Sequence, residues 1–426
     1  MARSQCTLTI DASGRDLHKD AARFRNQGPV ARVLLPGDIQ GWVVTDLGLI
    51  KQLLLDPRIS KDAHRHWPAW AGGQVDESWP MSMWVSVRNM LTAYGAEHAR
   101  LRRLVAGAFT ARRTAALRPV VTTAVGQLLD GLAEKSGQVL DLRQEFACQV
   151  PARVISALLG LPESVHDDLL RVVGTLFRTT ATQEEAQANQ RELYGLLTEL
   201  IAEKRASPGA DLTSDLIAAR DSEDGAGLSE KELLDTLLLV IGAGLETTVN
   251  LIDHATHALL SHPGQLTLVR DGSATWSDVI DETLRQQAVV ANIPFRFATE
   301  DITLDGVFFP AGDPILLSLA AAGRDPRVHG PDADGFDVTR ATRRDHIPFG
   351  HGVHHCPGRP LARMEATIAL EELFRRFPDL ALAVPADEVP PLESFISCGH
   401  AELPVRLGRE SQAGSDACAT PGMRGS

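Results

Sequence analysis

The chain has no run of about eighteen apolar residues, the length a bilayer-spanning helix needs. It has no disulfide framework either: its five cysteines (Cys6, Cys148, Cys356, Cys398, Cys418) are scattered through 426 residues without paired spacing, which fits a reducing cytoplasm. Aromatics make up only 5%, with two tyrosines in all. Positive charge is in deficit; a formal net charge of −13 argues against general nucleic-acid binding. Met1–Cys6 lacks the apolar stretch of a secretory signal. There is no internal repeat, and no linker divides the chain. The expectation is one domain over residues 1–408, then a Gly/Ser/Ala-rich, disordered tail at 409–426.

What is present is mostly helical periodicity with Pro and Gly punctuation. Small β patches flank it. Val30–Leu35 and Trp42–Thr45 read as two strands joined by a turn-rich loop. A second patch spans Pro294–Leu317, with hairpin chemistry at Asp305-Gly306. Glu402–Leu407 reads as an edge strand, where Pro404 is tolerated. Ser229 and Glu232 form a capping box that starts a long helix ending before Pro263, roughly 50 Å at 1.5 Å per residue. Gly242 and Gly244 sit in its middle beside Glu246, Thr247 and Thr248. Glycine there is costly, so something lies close to the backbone. The acid and hydroxyls can open the helical hydrogen-bond ladder and hold water. A simple helix crossing, with Glu246 in a salt bridge, is the plainer alternative.

The most informative thiol is Cys356, in Phe349-Gly350-His351-Gly352-Val353-His354-His355-Cys356-Pro357-Gly358. Glycines let the backbone approach closely, and a helix-like run from Leu361 follows. Backbone N–H groups and that helix's N-terminus would lower the thiol pKa and hold a thiolate. Zinc is a rival, because His346, His351, His354 and His355 cluster there. Adjacent His355 and Cys356 cannot easily both turn to one small ion, and no second cysteine is near.

The loop resembles the haem-binding signature of the cytochrome P-450 superfamily, Phe-Gly-x-Gly-x-[His/Arg]-x-Cys-x-Gly-x-x-Leu-Ala. Phe349, Gly350, Gly352, His354, Cys356, Gly358, Leu361 and Ala362 all fall in place. The segment Ala243-Gly244-Leu245-Glu246-Thr247-Thr248 is similar to the family's oxygen-binding groove. Overall the resemblance covers roughly residues 20–408 and implies a mainly α fold with small β-sheets. In that fold a haem b (iron protoporphyrin IX) lies between the long central helix and the Cys356 loop. It implies Cys356 as the iron ligand, with thiolate ligation favouring O–O cleavage. Ala243 and Gly244 would flank dioxygen, Thr247 would steady its reduced form and supply ordered water, and Glu246 would relay protons. The haem propionates would be met by His98, Arg102, Arg296 and His354. Glu282, Arg285 and Arg340 would form a buried structural triad.

Between residues 67 and 84 the chain spends four of its six tryptophans (Trp67, Trp70, Trp79, Trp84), beside Met81 and Met83. In the family this loop roofs the substrate cavity, and such side chains suit a large apolar ligand. Met83, Trp84, Val87, Leu239, Val289, Val290, Ala291, Asn292, Phe395 and Ile396 are the expected lining, with Asn292 as the polar handle. A narrower resemblance, to actinomycete members acting on steroids or polyketide-like products, implies a soluble cytoplasmic monooxygenase. No flavin or iron–sulfur domain is fused, so electrons would come from a ferredoxin or flavodoxin with its reductase. The acid-free arginine stretch (Arg100, Arg102, Arg103, Arg112, Arg113, Arg118) is the expected docking face. Aryl coupling, direct peroxide use and a non-catalytic haem- or ligand-binding role stay open as alternatives.

Overall fold

A computed structural model describes residues 7–220, 227–408 and 410. The expected tail at 409–426 therefore lies outside the described residues, apart from Glu410, whose carboxylate pairs with Arg376. The helix Glu230–Ser261 runs 32 residues without a break, and its capping box is complete, Ser229 and Glu232 each bonding the other's backbone. Its best eighteen-residue window has a mean hydropathy of 1.4, enough by length and composition to cross a membrane. This corrects the expectation that no such stretch exists. However, 78% of that window is buried inside the fold, as a core helix requires. Helices Gln149–Leu159, His166–Phe177, Trp276–Gln286 and Arg359–Arg376 pack around it.

Among the described residues eleven short strands flank the helices: β1 (Leu8–Thr9), β2 (Val30–Leu35), β3 (Ile39–Val44), β4 (Ile59–Ser60), β5 (Val139–Asp141), β6 (Asn292–Ala298), β7 (Ile302–Leu304), β8 (Val307–Phe309), β9 (Pro314–Ser318), β10 (Ala381–Leu382) and β11 (Pro404–Arg406). The larger sheet has the order β1-β2-β3-β9-β6-β4. β2 and β3 form the expected antiparallel pair, in register from Val30↔Val44 to Leu35↔Ile39. Asp305 and Gly306 take φ of 46° and 75° between β7 and β8, the left-handed pair that a two-residue hairpin turn demands. β11 corrects an expectation: it is the middle strand of β10-β11-β5, not an edge. Its second partner comes from residues 139–141, a non-local pairing that no local pattern announces.

Glu282 and Arg285 of the structural triad are fully buried, and the Arg340 side chain is 9% exposed. Arg285 donates Nε to Glu282 Oε2 (2.8 Å) and Nη2 to Oε1 (2.7 Å), and Arg340 Nε reaches the same Oε1 at 3.2 Å. Three further N–H groups of Arg285 reach the carbonyls of Gly323, Ala333 and Gly335. All five guanidinium donors are thus used. Removing one partner strands a buried charge, so Glu282→Ala should cost about 3–5 kcal/mol. Chemical denaturation of the variant measures this; a loss under about 1 kcal/mol would show that the carboxylate is dispensable.

Candidate active site

The Cys356 loop and the middle of the central helix face each other across one mainly apolar cavity. Cys356, Phe349, Gly358, Leu361 and Ala362 line one side; Leu239, Ala243, Gly244, Thr247 and Leu251 line the other. Gly350 and Gly352 bend the loop, with φ of 73° and 68°. A Cβ on Gly352 would also meet the Leu54 carbonyl oxygen at 2.6 Å. Cys356 N–H donates to the Phe349 carbonyl at 2.8 Å, closing the loop. Burial pushes the thiol up, while the backbone N–H groups of Gly358 and Arg359 and the charges of Arg102 and Arg359 pull it down. The donors stand where the sequence pattern required, but burial outweighs them. A metal ion on the sulfur is what would tip it to thiolate. Cys398, a buried thiol, lies elsewhere, beside His18 and Gln287.

The helix is not opened at 242–248. Thr247 Oγ1 donates to the Ala243 carbonyl four residues back (2.6 Å), so the hydroxyl joins the ladder instead of interrupting it. A methyl on Gly244 would meet Ile155 Cδ1 at 2.4 Å, so this glycine also serves the helix crossing. Glu246 is buried. Its Oε1 accepts from Asn250 Nδ2 and Ser397 Oγ, each at 2.9 Å, with Arg143 Nη2 at 3.8 Å.

At one end of the site five basic groups converge. His98 and His354 meet with ring centroids 4.2 Å apart and planes tilted by 49°, and Arg102 donates to the His355 carbonyl. Arg296 is buried, with only the neighbouring Phe295 carbonyl as acceptor at 3.2 Å. Lys61 was not anticipated. The β4–β6 register pairs Ser60 with Phe297, and one step further sets Lys61 against Arg296. Like charges facing each other across strands repel. Burial, then Arg296, holds Lys61 well below the usual lysine range. Burial alone takes Arg296 down to about 9. Burial, Arg296, His98, Lys61 and Arg102 together hold His354 far below the imidazole range. Among the described residues no carboxylate pairs with any of the five. Buried cations without anions call for a ligand that brings them. A flat group with a central metal and two carboxylates at one edge fits the sulfur and these cations together.

The expected substrate positions divide. Met83, Trp84, Val87 and Leu239 meet in an apolar recess with Leu91, Leu176, Phe177 and Gly242, which shares Leu91, Leu239 and Ala243 with the wall of the first cavity. Val289 lines the first cavity. Val290, Ala291, Asn292, Phe395 and Ile396 do not line either space. The strand-like pairing of this segment with the C-terminal loop uses them instead: Ala291 N–H donates to Ile396 O and Asn292 Nδ2 to Phe395 O. Trp67 and Trp79 pack with Phe295 and Phe297 in a local core. Leu91, Ile155 and Phe177 were missed as wall residues, and so was Glu365. Glu365 had a visible signal, standing four and three residues after Leu361 and Ala362 on the same helix face.

The family description Cytochrome P450 matches residues 276–396. The 2-hydroxy-5-methyl-1-naphthoate 7-hydroxylase of Streptomyces carzinostaticus is 42% identical, over 94% of this chain and 98% of its own length. The chain belongs to the cytochrome P450 family. The Vitamin D(3) 25-hydroxylase of Pseudonocardia autotrophica is 38% identical, covering 92% of this chain and 94% of its own. The solved structure of CYP154A1 from Streptomyces coelicolor A3(2) superposes with a TM-score of 0.89 at 52% identity, covering 94% and 100%. As a P450 the protein is a haem-thiolate monooxygenase, and its cofactor is haem.

Two outcomes follow for this P450 site. Lys61→Met should release haem to an acceptor apoprotein about tenfold faster, the worth of one charge-assisted hydrogen bond, while the apoprotein gains stability from relief of the Lys61–Arg296 repulsion. Unchanged haem loss would remove Lys61 from the site. Burial also pushes Glu365 up to about 8, so the folded state holds a proton there that the unfolded state gives up near 4.5. That stabilisation is complete below pH 4.5 and is lost as pH rises through about 8. Urea melts between pH 5 and 8 should therefore show a steeper decline for the wild type than for Glu365→Gln; parallel declines would show an ordinary carboxyl.

Proposed function

We infer that this P450 oxidises a large apolar small molecule, such as a steroid, a polyketide or a similar natural product, in the cytoplasm. One oxygen atom of O2 enters a C–H bond, and two electrons arrive from a ferredoxin or flavodoxin with its reductase. The observation that carries the reading is the adjacency of the cavity at Cys356 and the recess of Met83, Trp84, Val87 and Phe177, which share Leu91, Leu239 and Ala243 as wall residues. A ligand seated there would present one end to the Ala243–Thr247 segment while aromatic and thioether side chains remove the rest from water. The relatives' names point the same way, since both name hydroxylation of ring-bearing organic molecules.

The balance is RH + O2 + 2e⁻ + 2H⁺ giving ROH and water. Bound haem, held by Cys356 and by Lys61, His98, Arg102, Arg296 and His354, supplies dioxygen activation and the transfer of one oxygen atom. The protein supplies the two protons in order and keeps bulk water out. Glu246 is the buried acid next to Thr247 in the helix, bonded by Ser397, and Thr247 itself lines the cavity. Leu239, Leu251 and Val289 keep the remaining wall apolar. For the electron donor, two arginines of the expected patch are already spent: Arg100 pairs with Glu232, and Arg113 with Asp215. Arg103, Arg112 and Arg118 remain exposed, as does Arg359 at the start of the Cys356 helix. These supply the positive face on which an acidic donor would be steered.

The reduced protein under carbon monoxide should show the strongly red-shifted Soret band of thiolate-ligated haem, and Cys356→Ala should lose it. Thr247→Ala should bind substrate as before but divert several-fold more of the reductant to hydrogen peroxide. Tight coupling in that variant would overturn the proton-supply role. A wild-type band like that of histidine-ligated haem would overturn the catalytic reading altogether.

A further inference from the structure

A second cavity, of ≈ 360 Å³, lies against a neighbouring face of the central helix. Glu246, Asn250, Asp253 and His257 follow one another at helical spacing on that face, beside the face carrying Gly244, Thr247, Thr248 and Leu251 to the first cavity. The mouth of the second cavity is exposed at Arg15, Asp16 and Lys19. Deeper in it are His18, His254, His400 and Ser397. His254 is 3% exposed, and among the described residues neither of its ring nitrogens has a hydrogen-bond partner; nor do His18 Nδ1 and Asp253 Oδ1. Buried polar groups beside a space this large are met by water, since a single water needs only about 10–15 Å³ of such volume.

Ser397 stands between that water and the acid. It lines the second cavity, donates Oγ–H to Glu246 Oε1 at 2.9 Å and accepts from Asn250 Nδ2 at 2.8 Å. Asn250 Nδ2 donates to the same Glu246 oxygen, and Asn250 Oδ1 accepts from Arg143 Nη1 at 2.8 Å. Arg143 in turn reaches Asp253 Oδ2 at 3.2 Å, and His400 Nδ1 meets that oxygen at 2.9 Å. The network fixes the carboxylate with one oxygen toward the serine. A hydroxyl can accept a proton on one side and release one on the other without first changing charge, and Ser397 is the member of the network that both lines the second cavity and bonds Glu246.

We propose that Ser397 passes protons from the second cavity to Glu246, so that the acid is recharged from this side of the helix and not through the substrate cavity. The step moves one proton and no electrons. Water gives a proton to Ser397 Oγ as the Ser397 Oγ–H proton passes to the Glu246 carboxylate, and hydroxide in the cavity is neutralised from bulk solvent. Ser397 is a positioning residue, acting on the reaction only through Glu246. The proposal rests on the reading of Glu246 as the proton supplier. It explains how protons can be delivered while the first cavity stays dry.

The test compares Ser397→Thr, which keeps the hydroxyl, with Ser397→Val, which has the same shape without it. Holoenzyme, reductase system and an oxidisable apolar probe substrate are used, and the carbon monoxide spectrum confirms an intact haem site in each. The valine variant is expected to raise the peroxide share of consumed reductant at least threefold and to enlarge the solvent deuterium isotope effect on product formation; the threonine variant should match wild type. Valine and threonine variants that behave alike, whether both coupled, both uncoupled or both without an intact haem site, would overturn the route, because the hydroxyl is their only difference. Glu246→Gln separates the two ideas. If it uncouples while Ser397→Val does not, Glu246 keeps its role and only the Ser397 route falls. If it stays coupled, the reading of Glu246 fails first.

Discussion

The geometry of the site depends on the buried guanidinium of Arg285. A charge with no exposure to solvent survives only if every donor is used. Here the five N–H groups tie the helix Trp276–Gln286 to Glu282 and to the carbonyls of Gly323, Ala333 and Gly335. A Cβ on Gly323 would sit 2.1 Å from the Arg285 carbonyl oxygen, so that approach is open only to glycine. Arg340 extends the same bonding to His329 and Asp332. The stretch from 323 to 340 has little regular structure of its own, and it leads directly into the Cys356 loop. Its position, and hence the distance from Cys356 to the central helix, follows from that one network.

The two ends of the cavity meet opposite physical demands. Around Ala243 and Thr247 the wall is mainly apolar, with the threonines Thr247 and Thr248 in it and the Glu246 carboxylate on the adjoining face of the helix. At the other end five basic groups are crowded together and mostly dry. Burial lowers the proton affinity of Arg296, and burial together with like-charged neighbours lowers that of Lys61, His98 and His354; carboxylates arriving there would offset both. The protein thus stores an unfavourable arrangement that cofactor binding resolves, as strained or unsatisfied groups at functional sites commonly do. Glu365 follows the same logic with the opposite sign: buried without a cation, it keeps its proton.

Much of this was legible in the chain. The Phe349–Gly358 spacing is local chemistry: Gly358 lies against the Cys356 sulfur, while the two left-handed glycines, Gly350 and Gly352, bend the loop, Gly352 against the Leu54 carbonyl. The capping box at Ser229 and the Asp305-Gly306 turn are local chemistry, readable in four residues each. The pocket was legible only in part. Met83, Trp84 and Val87 meet Leu239 because a loop and a helix are packed together. Asn292 and Phe395 looked equally suitable by composition, but they bond each other. The difference lies in strand pairing between distant segments, which side-chain type does not encode.

By itself, then, the sequence determined the thiolate loop, the long apolar helix with its acid–hydroxyl pair and the Glu-x-x-Arg element, because each is fixed by contacts within a few residues. Tertiary structure alone decided what those contacts serve. It set Lys61 opposite Arg296 through a cross-strand register, placed β11 in mid-sheet through a partner more than 250 residues away, and brought Ser397 to Glu246 across 151 positions. Such meetings depend on how whole elements pack, and packing is settled by the summed burial of the chain and not by any short stretch of it.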